Sequence, residues 1–237
     1  MKLHERLANR KSRLFNSKLA RYTASVSKRY DQYCPIAHAL ELIGDRWALL
    51  IVRELLQGPK RYTDLAAQLP GIGTNILAAR LRELEAGGVV AKRLLPPPAA
   101  SRVYELTPYG LALKPVIREL ALWGLRSIGP PPADEELYPG WLTGALDTIF
   151  EPVAPAGRFV FRVGSEVASL VDGEAQPGPI EQPDVVVETN TRGFYYLFHE
   201  RRWDGVSVEG DRELVERLFD AATAPPAGTA ARAAATA

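Results

Sequence analysis

The fold is decided by the stretch TNILAARLRELEAGG, residues 74–88. Its Leu77, Leu81 and Leu84 lie at positions i, i+4 and i+7, a spacing that places all three on one face of an α-helix. Thr74 belongs to the residue types that cap the start of a helix, and two glycines follow the last periodic position. The stretch therefore predicts an amphipathic helix with its leucines buried and its opposite side exposed.

Helical patterns precede this helix, and two extended runs follow it. Pro35 suits the first turn of a helix, Asp45 suits a helix cap, and Thr107-Pro108 suits the start of a long helix. In order, these elements predict a helix, a tight turn, a helix and a two-stranded hairpin, which is the winged helix-turn-helix, a mainly α fold with a β wing. The expected elements are helices over residues 35–43, 46–56, 62–69, 74–86 and 108–128 and strands over Val89–Leu95 and Arg102–Leu106.

The side of the 74–86 helix opposite its leucines has the residue types that contact DNA. An α-helix fits the major groove, where Asn bonds an adenine edge and Arg bonds guanine or a phosphate. At 100° per residue, Asn75, Ala79 and Arg82 point away from the leucines, and small alanines let the backbone approach closely. The predicted DNA-binding residues are Thr74, Asn75, Ala78, Ala79, Arg80 and Arg82 in the helix and Lys92, Arg93 and Arg102 in the hairpin.

Several of these residues also have a purely structural interpretation. An arginine such as Arg82 on a helix surface commonly pairs with an acid or faces water. Arg80 lies nearer the buried edge of the helix, where it can brace the fold through an ion pair. Lys92 and Arg93 can keep an exposed hairpin edge from pairing with another chain. The prediction of DNA binding therefore depends on the ordered combination of elements.

Charge is unevenly distributed along the 237 residues. The formal net charge is +1, but residues 1–30 contain nine Lys or Arg and one acid, Glu5. Such an arm suits a polyanion, either nucleic acid or an anionic membrane surface; the alternatives are a solvated arm and a mitochondrial presequence. No stretch approaches the ~18 apolar residues of a membrane span, so we expect no membrane insertion. The one cysteine excludes an internal disulfide and fits a reducing cytoplasm.

Two changes in composition divide the chain. Gly129-Pro130-Pro131-Pro132 ends a helical pattern and predicts a stiff linker. From Ala221 an Ala/Pro/Thr run lacks large apolar residues and cannot bury enough surface to fold alone. The expected parts are a basic arm over residues 1–32, a winged helix-turn-helix domain over 33–129, a smaller α+β domain over 134–220 and a disordered tail over 221–237.

Several motifs follow one another within residues 33–124: Cys34-Pro35, Asp45-Arg46-Trp47, Leu49-Leu50-Ile51, Arg61-Tyr62-Thr63-Asp64-Leu65, Leu69-Pro70-Gly71-Ile72, Leu77–Glu85 and Leu106-Thr107-Pro108-Tyr109-Gly110. This ordered set resembles the motifs of HxlR-type bacterial winged-helix regulators. The resemblance implies a homodimer, formed by the first and last helices of the domain, that binds a two-fold operator on double-stranded DNA. Members of this family often have a proline at the place of Pro115, in mid-helix. The hairpin tip departs from the family because residues 99–101 separate Pro98 from Arg102, which leaves the wing contacts open.

Cys34 precedes a proline at the start of a helix, where free amides and the helix dipole favour an anion and so a reactive thiolate. Some relatives in the resembled family sense oxidants or electrophiles with a cysteine at this place, which makes Cys34 a candidate redox sensor. Without a second cysteine, a switch needs a disulfide across the dimer or a mixed disulfide with a small thiol. The alternative is a small, buried, unreactive residue near the dimer contact.

The pattern of residues 134–220 predicts an α+β domain. Its order of elements and the segment Trp203–Asp211 resemble the sterol-carrier-protein-like domain attached to some HxlR-type regulators. The resemblance implies an apolar tunnel for a small hydrophobic ligand, although aromatic residues at these spacings also form an ordinary core. The expected elements are helices over 135–150, 193–201 and 211–219 and strands over 159–163, 167–171, 184–188 and 206–208. The pocket candidates are Phe159, Phe161, Phe194, Tyr195, Phe198 and Trp203.

The sequence contains no motif of catalytic chemistry that we sought. It has no GxGxxG, GxxxxGKS/T or GxSxG, and its three histidines and one cysteine lack metal-ligand spacing. We therefore expect neither an enzyme nor a cofactor. The sequence indicates a cytoplasmic, dimeric, DNA-binding transcriptional regulator whose second domain responds to a small hydrophobic ligand. Two alternatives stay open: a carrier of hydrophobic ligands that dimerises through the winged domain, and a regulator that senses oxidants through Cys34.

Overall fold

The computed structural model describes residues 30–98, 100–132, 134–150 and 154–222. The chain divides into two compact units, Met1–Ile117 and Arg118–Ala237, and each has its own hydrophobic core. Most of the predicted arm and the tail beyond Ala222 lie outside the described residues. Within the described ranges, no helix is long and apolar enough to cross a membrane.

The first unit has the order of elements predicted for a winged helix-turn-helix. Strands β1 and β2 pair antiparallel, with Val90 opposite Leu106, and Lys60 adds a single antiparallel bridge to Tyr104. Helix α6 begins in this unit and ends in the second. The elements are α1 (Pro35–Ile43), α2 (Ala48–Leu56), α3 (Tyr62–Gln68), α4 (Thr74–Ala86), β1 (Val90–Leu94), β2 (Arg102–Leu106), α5 (Pro108–Leu111) and α6 (Lys114–Leu125).

The core of the first unit confirms the helical pattern of residues 74–86. Leu77, Leu81 and Leu84 are each at most 1% exposed and belong to one hydrophobic cluster with residues of α2 and α3. Burying a leucine side chain completely contributes about 1.5–3 kcal/mol. Three leucines on one face therefore fix the orientation of α4 about its own axis.

Two helices have cap residues that differ from the predicted ones. Thr74 is the first residue of α4, and Gly73 holds the cap position without a side-chain cap. Asp45 does not cap α2, whose cap residue is Trp47 in a left-handed conformation with φ 80°. Asp45 instead accepts a hydrogen bond from Arg80, 35 residues further along the chain. A local pattern cannot reveal a partner at that separation.

The predicted helix over residues 108–128 is two helices. Thr107 caps α5 as expected, since its Oγ1 accepts a hydrogen bond from the Gly110 N–H at 3.1 Å. The chain then begins α6 at Lys114. Pro115 therefore lies in the first turn of a helix, where its missing N–H removes no helical hydrogen bond. The mid-helix position expected for this proline is wrong.

Gly110 has no room for a side chain, because a Cβ there would overlap the carbonyl oxygen of Val89. We predict that Gly110→Ala forces α5 away from the wing and lowers the free energy of unfolding by about 1–3 kcal/mol, measured by urea titration. The matched control is Gly124→Ala on α6, where nothing lies within 4 Å of the added Cβ. This control should stabilise by about 0.5–1 kcal/mol. If the two substitutions changed the free energy of unfolding equally, this would contradict the close contact between Gly110 and the Val89 carbonyl.

In the second unit, three helices and one face of a five-stranded sheet share a single core. The strand order is β5-β4-β3-β6-β7; β3 and β6 are parallel and the other pairs antiparallel. The hairpin around Gly164-Ser165 agrees with prediction. Strand β5 was missed because Glu-Ala-Gln-Pro has no β-branched or aromatic residue. The elements are α7 (Trp141–Phe150), β3 (Arg158–Val163), β4 (Glu166–Val171), β5 (Glu174–Pro177), β6 (Val185–Thr189), α8 (Thr191–Glu200), β7 (Ser207–Gly210) and α9 (Arg212–Ala221).

The division between the units falls inside α6, before the predicted linker at residue 129. Within the second unit, Arg118 Nε donates a hydrogen bond to the Thr148 carbonyl at 3.1 Å. Leu125 packs against the core of this unit. Arg192 Nε donates to the Pro131 carbonyl at 2.9 Å. Part of the proline segment is therefore bound to the second unit.

The ends of α8 and α9 are joined by Arg201. Its guanidinium donates hydrogen bonds to the carbonyls of Phe198 and Phe219 and to the carbonyl of Ala222 at 2.7 Å. Helix α9 continues to Ala221, and Ala222 is 1% exposed. Both alanines were expected in the tail, and their inclusion in the fold follows from these carbonyl contacts.

Candidate nucleic-acid interface

Helix α4 presents its polar side to solvent. Thr74, Asn75 and Arg82 are exposed, whereas the leucines on the opposite side are buried. Arg82 Nε donates a hydrogen bond to the Ala78 carbonyl at 3.2 Å, which folds the side chain back over the preceding turn. Ala78 and Ala79 are half-buried. The structure thus places the predicted reading residues on an accessible helix surface.

Ile76 is a contact candidate that the sequence reasoning missed. It is 46% exposed in the first turn of α4, next to Asn75. An exposed apolar side chain at such a place can contact the methyl group of thymine in the major groove. The available signal was that Ile76 falls outside the i, i+4, i+7 stripe of leucines.

Two hydrogen bonds hold the parts of this surface together. The Tyr62 hydroxyl donates to the Thr74 carbonyl at 2.7 Å, which joins the start of α3 to the start of α4. Arg61 Nε donates to Ser101 Oγ at 3.1 Å, which joins the start of α3 to the hairpin loop. The sequence motif around Arg61 and Tyr62 therefore has a positioning role that pattern analysis did not assign.

Arg80 is engaged within the first unit. Its guanidinium forms ion pairs with Asp45, in the turn between α1 and α2, and with Glu83 on its own helix. Its side chain is 17% exposed. This geometry matches the bracing interpretation of Arg80. Its contact with DNA stays a prediction, and such a contact requires these ion pairs to open.

The basic residues of the wing differ in their surroundings. Lys92 Nζ lies 2.7 Å from Glu85 Oε2, and the hydrogen bond to this carboxylate raises the pKa of Lys92 above its ordinary value. Arg93 Nε lies 2.7 Å from Glu105 Oε2. Arg102 is exposed and forms no ion pair with any other residue that the structure describes. Of the three, Arg102 is the cation most available to a phosphate.

Two helices of the winged region expose apolar side chains. On α1, Ile36 is 72% and Leu40 is 45% exposed. On α6, where no residue is buried, Val116, Leu120 and Trp123 lie at i, i+4 and i+7, and Trp123 is 67% exposed. Each helix thus has an apolar stripe that faces solvent in a single chain. Exposed aromatic and aliphatic patches commonly mark protein–protein contacts.

Cys34 occupies the cap position of α1 and is half-buried. Its carbonyl accepts a hydrogen bond from the His38 N–H at 3.0 Å. The position agrees with the expected helix start, and the reactivity of the thiol stays a prediction.

Four of the six aromatic pocket candidates belong to the core of the second unit. Phe161 stacks with Phe159 at a centroid distance of 6.5 Å and meets Phe194 edge to face at 6.2 Å. A ligand among these rings has to displace them, since they contact one another directly. The four are Phe159, Phe161, Phe194 and Phe198, each at most 6% exposed.

Tyr195 and Trp203 are half-buried and lie at the margin of the unit. The Tyr195 ring lies 4.3 Å from the ring of His199, and burial raises the pKa of Tyr195. A cavity of about 220 Å³ lies beside Trp203 and is also lined by Phe219 and by the charged residues Arg201, Glu216 and Asp220. This mixed lining differs from the wholly apolar tunnel that the sequence resemblance implies. Among the described residues, no group of His, Cys, Asp and Glu could hold a metal ion.

Comparison with known proteins identifies relatives of the winged region. The HxlR-like helix-turn-helix family matches residues 42–131. The chain is 36% identical over 100 residues to YvaP of Bacillus subtilis, named an uncharacterized HTH-type transcriptional regulator, covering 42% of this chain and 93% of YvaP. It is 38% identical over 91 residues to the HTH-type transcriptional regulator YodB of Bacillus subtilis, covering 38% of this chain and 81% of YodB. The solved reduced form of YodB is 35% identical, with a TM-score of 0.37, over 43% of this chain and 100% of that one.

Proposed function

The chain belongs to the HxlR-like helix-turn-helix family and is a transcriptional regulator of that type, and from this premise we propose that it binds an operator in duplex DNA as a homodimer. The observation that carries the proposal is the orientation of α4. Its leucines are buried, and Asn75 and Arg82 are exposed on the opposite side. A helix held in this way can enter the major groove with its reading side chains foremost.

The proposed contacts divide into base reading and backbone binding. Asn75 and Arg82 have the donor and acceptor groups that distinguish bases in the major groove. Thr74 lies at the start of α4, where free backbone amides favour a phosphate. Arg102 on the wing is exposed and suits the neighbouring phosphates, which set position but carry no sequence information.

We predict that Arg82→Ala weakens operator binding by about 1–3 kcal/mol, roughly 5- to 150-fold, and relaxes specificity at one base position. The operator is first obtained by selecting bound fragments from genomic DNA, and affinity is measured by fluorescence anisotropy. The matched control is Arg162→Ala, an exposed arginine on the sheet of the second unit, which should leave affinity unchanged. An Arg82→Ala protein with full affinity and specificity would remove Arg82 from the interface.

The apolar stripes of α1 and α6 support the dimer in this proposal. A stable interface buries about 800 Å² on each partner and depends on aromatic and aliphatic anchors. Trp123, at 67% exposed, is such an anchor. A two-fold dimer also places two copies of α4 about one duplex turn apart, which is the spacing that a two-fold operator needs.

We predict that Trp123→Glu converts the dimer to a monomer, because it places a charge in a contact that has to lose its water. Sedimentation velocity at micromolar concentration measures the change. Leu94→Glu is the matched control, since Leu94 lies on the wing with 66% exposure, and it should remain dimeric. A monomeric wild-type protein, or a dimeric Trp123→Glu protein, would contradict the assigned interface.

The second unit and Cys34 carry the regulatory part of the proposal. A small hydrophobic ligand in the second unit can regulate DNA binding only if it has different affinities for two conformations of the protein. Because the phenylalanine rings contact one another, such a ligand selects a conformation in which this core is open.

Oxidation of Cys34 at the start of α1 is the other regulatory input in this proposal, and it acts next to the apolar stripe of α1 that is assigned to the dimer. The alternative function, a carrier of hydrophobic ligands, does not explain why α4 exposes Asn75 and Arg82.

A further inference from the structure

Among the residues of α4, all of which the structure describes, Ile76 is the only large apolar side chain that is exposed. It is 46% exposed and belongs to neither of the two hydrophobic cores. A β-branched residue is also a poorer helix former than alanine or leucine. Ile76 therefore contributes little to the stability of the helix, and its side chain is available to a partner outside the unit.

The start of α4 holds this side chain in a defined place. Leu77, the next residue, is completely buried, and the Tyr62 hydroxyl donates a hydrogen bond to the Thr74 carbonyl at 2.7 Å. Ile76 leans toward the beginning of the helix, since a Cβ built on Gly73 would lie 3.9 Å from the Ile76 Cγ1. The first residues of a recognition helix are the ones that contact base edges. Ile76 thus lies at the end of α4 that the proposed function places in the major groove.

The neighbours of Ile76 determine what this end of the helix can read. Asn75, the preceding residue, is exposed and offers a polar contact. Arg80 lies one turn after Ile76 on the same side of the helix, but its guanidinium forms ion pairs with Asp45 and Glu83. The first turn of α4 therefore offers one polar and one apolar contact, side by side.

A thymine methyl group suits a single exposed isoleucine better than a protein partner does. A stable protein interface buries about 800 Å² on each partner, and α4 exposes only one large apolar side chain. In the major groove thymine is the only base that presents an apolar group, its 5-methyl. A lone apolar side chain beside Asn75 therefore selects thymine against the other three bases.

We propose that Ile76 reads thymine, by packing its side chain against the 5-methyl group of one thymine in each half of the operator. This proposal rests on the DNA binding proposed above and names a base that the site selects. Consecutive Cα atoms are about 3.8 Å apart, and stacked bases are about 3.4 Å apart. Asn75 and Ile76 therefore meet the same base pair or neighbouring ones, and the operator has an A·T pair at this place.

Uracil tests the contact directly, because it pairs with adenine as thymine does and lacks only the methyl group. The operator is obtained by selecting bound fragments from genomic DNA, and each thymine of one half-site is replaced in turn by uracil. Burying one methyl group corresponds to about a fourfold change in affinity. We expect the wild-type chain to bind about fourfold more weakly when the thymine that contacts Ile76 is replaced, as measured by fluorescence anisotropy.

The same series of duplexes with Ile76→Ala identifies which thymine the side chain contacts. This variant should bind the unmodified operator roughly 16-fold more weakly, because both half-sites lose the contact. At the contacted position it should no longer distinguish thymine from uracil. Its fold should be intact, since alanine is the better helix former and Ile76 lies outside both cores, and a urea titration checks this.

Two control variants separate this contact from general effects. Ile180→Ala removes the same atoms from a half-buried isoleucine of the second unit, and it should keep both the affinity and the fourfold preference for thymine. Arg82→Ala weakens binding through a different contact, and it should also keep the fourfold preference. A loss of that preference in the Arg82→Ala protein would show that weak binding alone removes it, and would overturn the assignment to Ile76.

Two results with the Ile76→Ala protein would also overturn the proposal. One is an unchanged affinity for the operator. The other is an equal loss of affinity on the thymine and uracil duplexes at every position, which would mean that Ile76 acts without a methyl contact. In both cases the wild-type chain still prefers the operator, so the proposed function stands. If the wild-type chain prefers no duplex, the proposed function fails, and the thymine contact fails with it.

Discussion

The burial of Leu77, Leu81 and Leu84 is the constraint on which the remaining structure depends. Rotating α4 by half a turn would expose three leucines, at a cost of about 1.5–3 kcal/mol each, and would bury Asn75 and Arg82 without partners. The helix therefore has one stable orientation in this unit. Polar contacts refine that orientation without creating it: Arg80 pairs with Asp45, and Tyr62 bonds the first turn. Function in this unit depends on packing first and on surface chemistry second.

Local patterns were sufficient for most of the winged unit, because periodicity and caps depend on neighbours in sequence. The hydrophobic stripe of α4 and the Thr107 cap are of this kind. The failures involve partners distant in sequence. Asp45 is a helix-cap residue type, yet it bonds Arg80. The residues after Thr107 have a helical pattern, yet the chain forms two helices, with Gly110 pressed against the Val89 carbonyl. The residue types indicate which donors and acceptors a surface has. Only the folded structure shows which of them are already bonded to other residues of the protein.

The second unit shows a different limit of sequence reasoning. Alternating apolar residues predict strands, and the hairpin of β3 and β4 follows directly from that pattern. The same spacing of aromatic rings, however, suits a filled core and a ligand tunnel equally well, because both need apolar side chains on the inner face. Rings such as Phe161 and Phe194 contact each other in the structure. A filled core and a ligand tunnel differ by a few ångströms in the distances between the rings, and the composition of the sequence does not determine those distances.

Pairing of charges within the winged unit separates affinity from specificity. Lys92 and Arg93 form ion pairs with carboxylates of the same unit, so under the proposed function these two cations contribute little sequence-independent attraction to DNA. Under the same proposal, weak sequence-independent attraction raises the ratio of specific to non-specific affinity, because the base contacts proposed for α4 do not involve these two cations. It also slows the search, which depends on long-range attraction to the duplex.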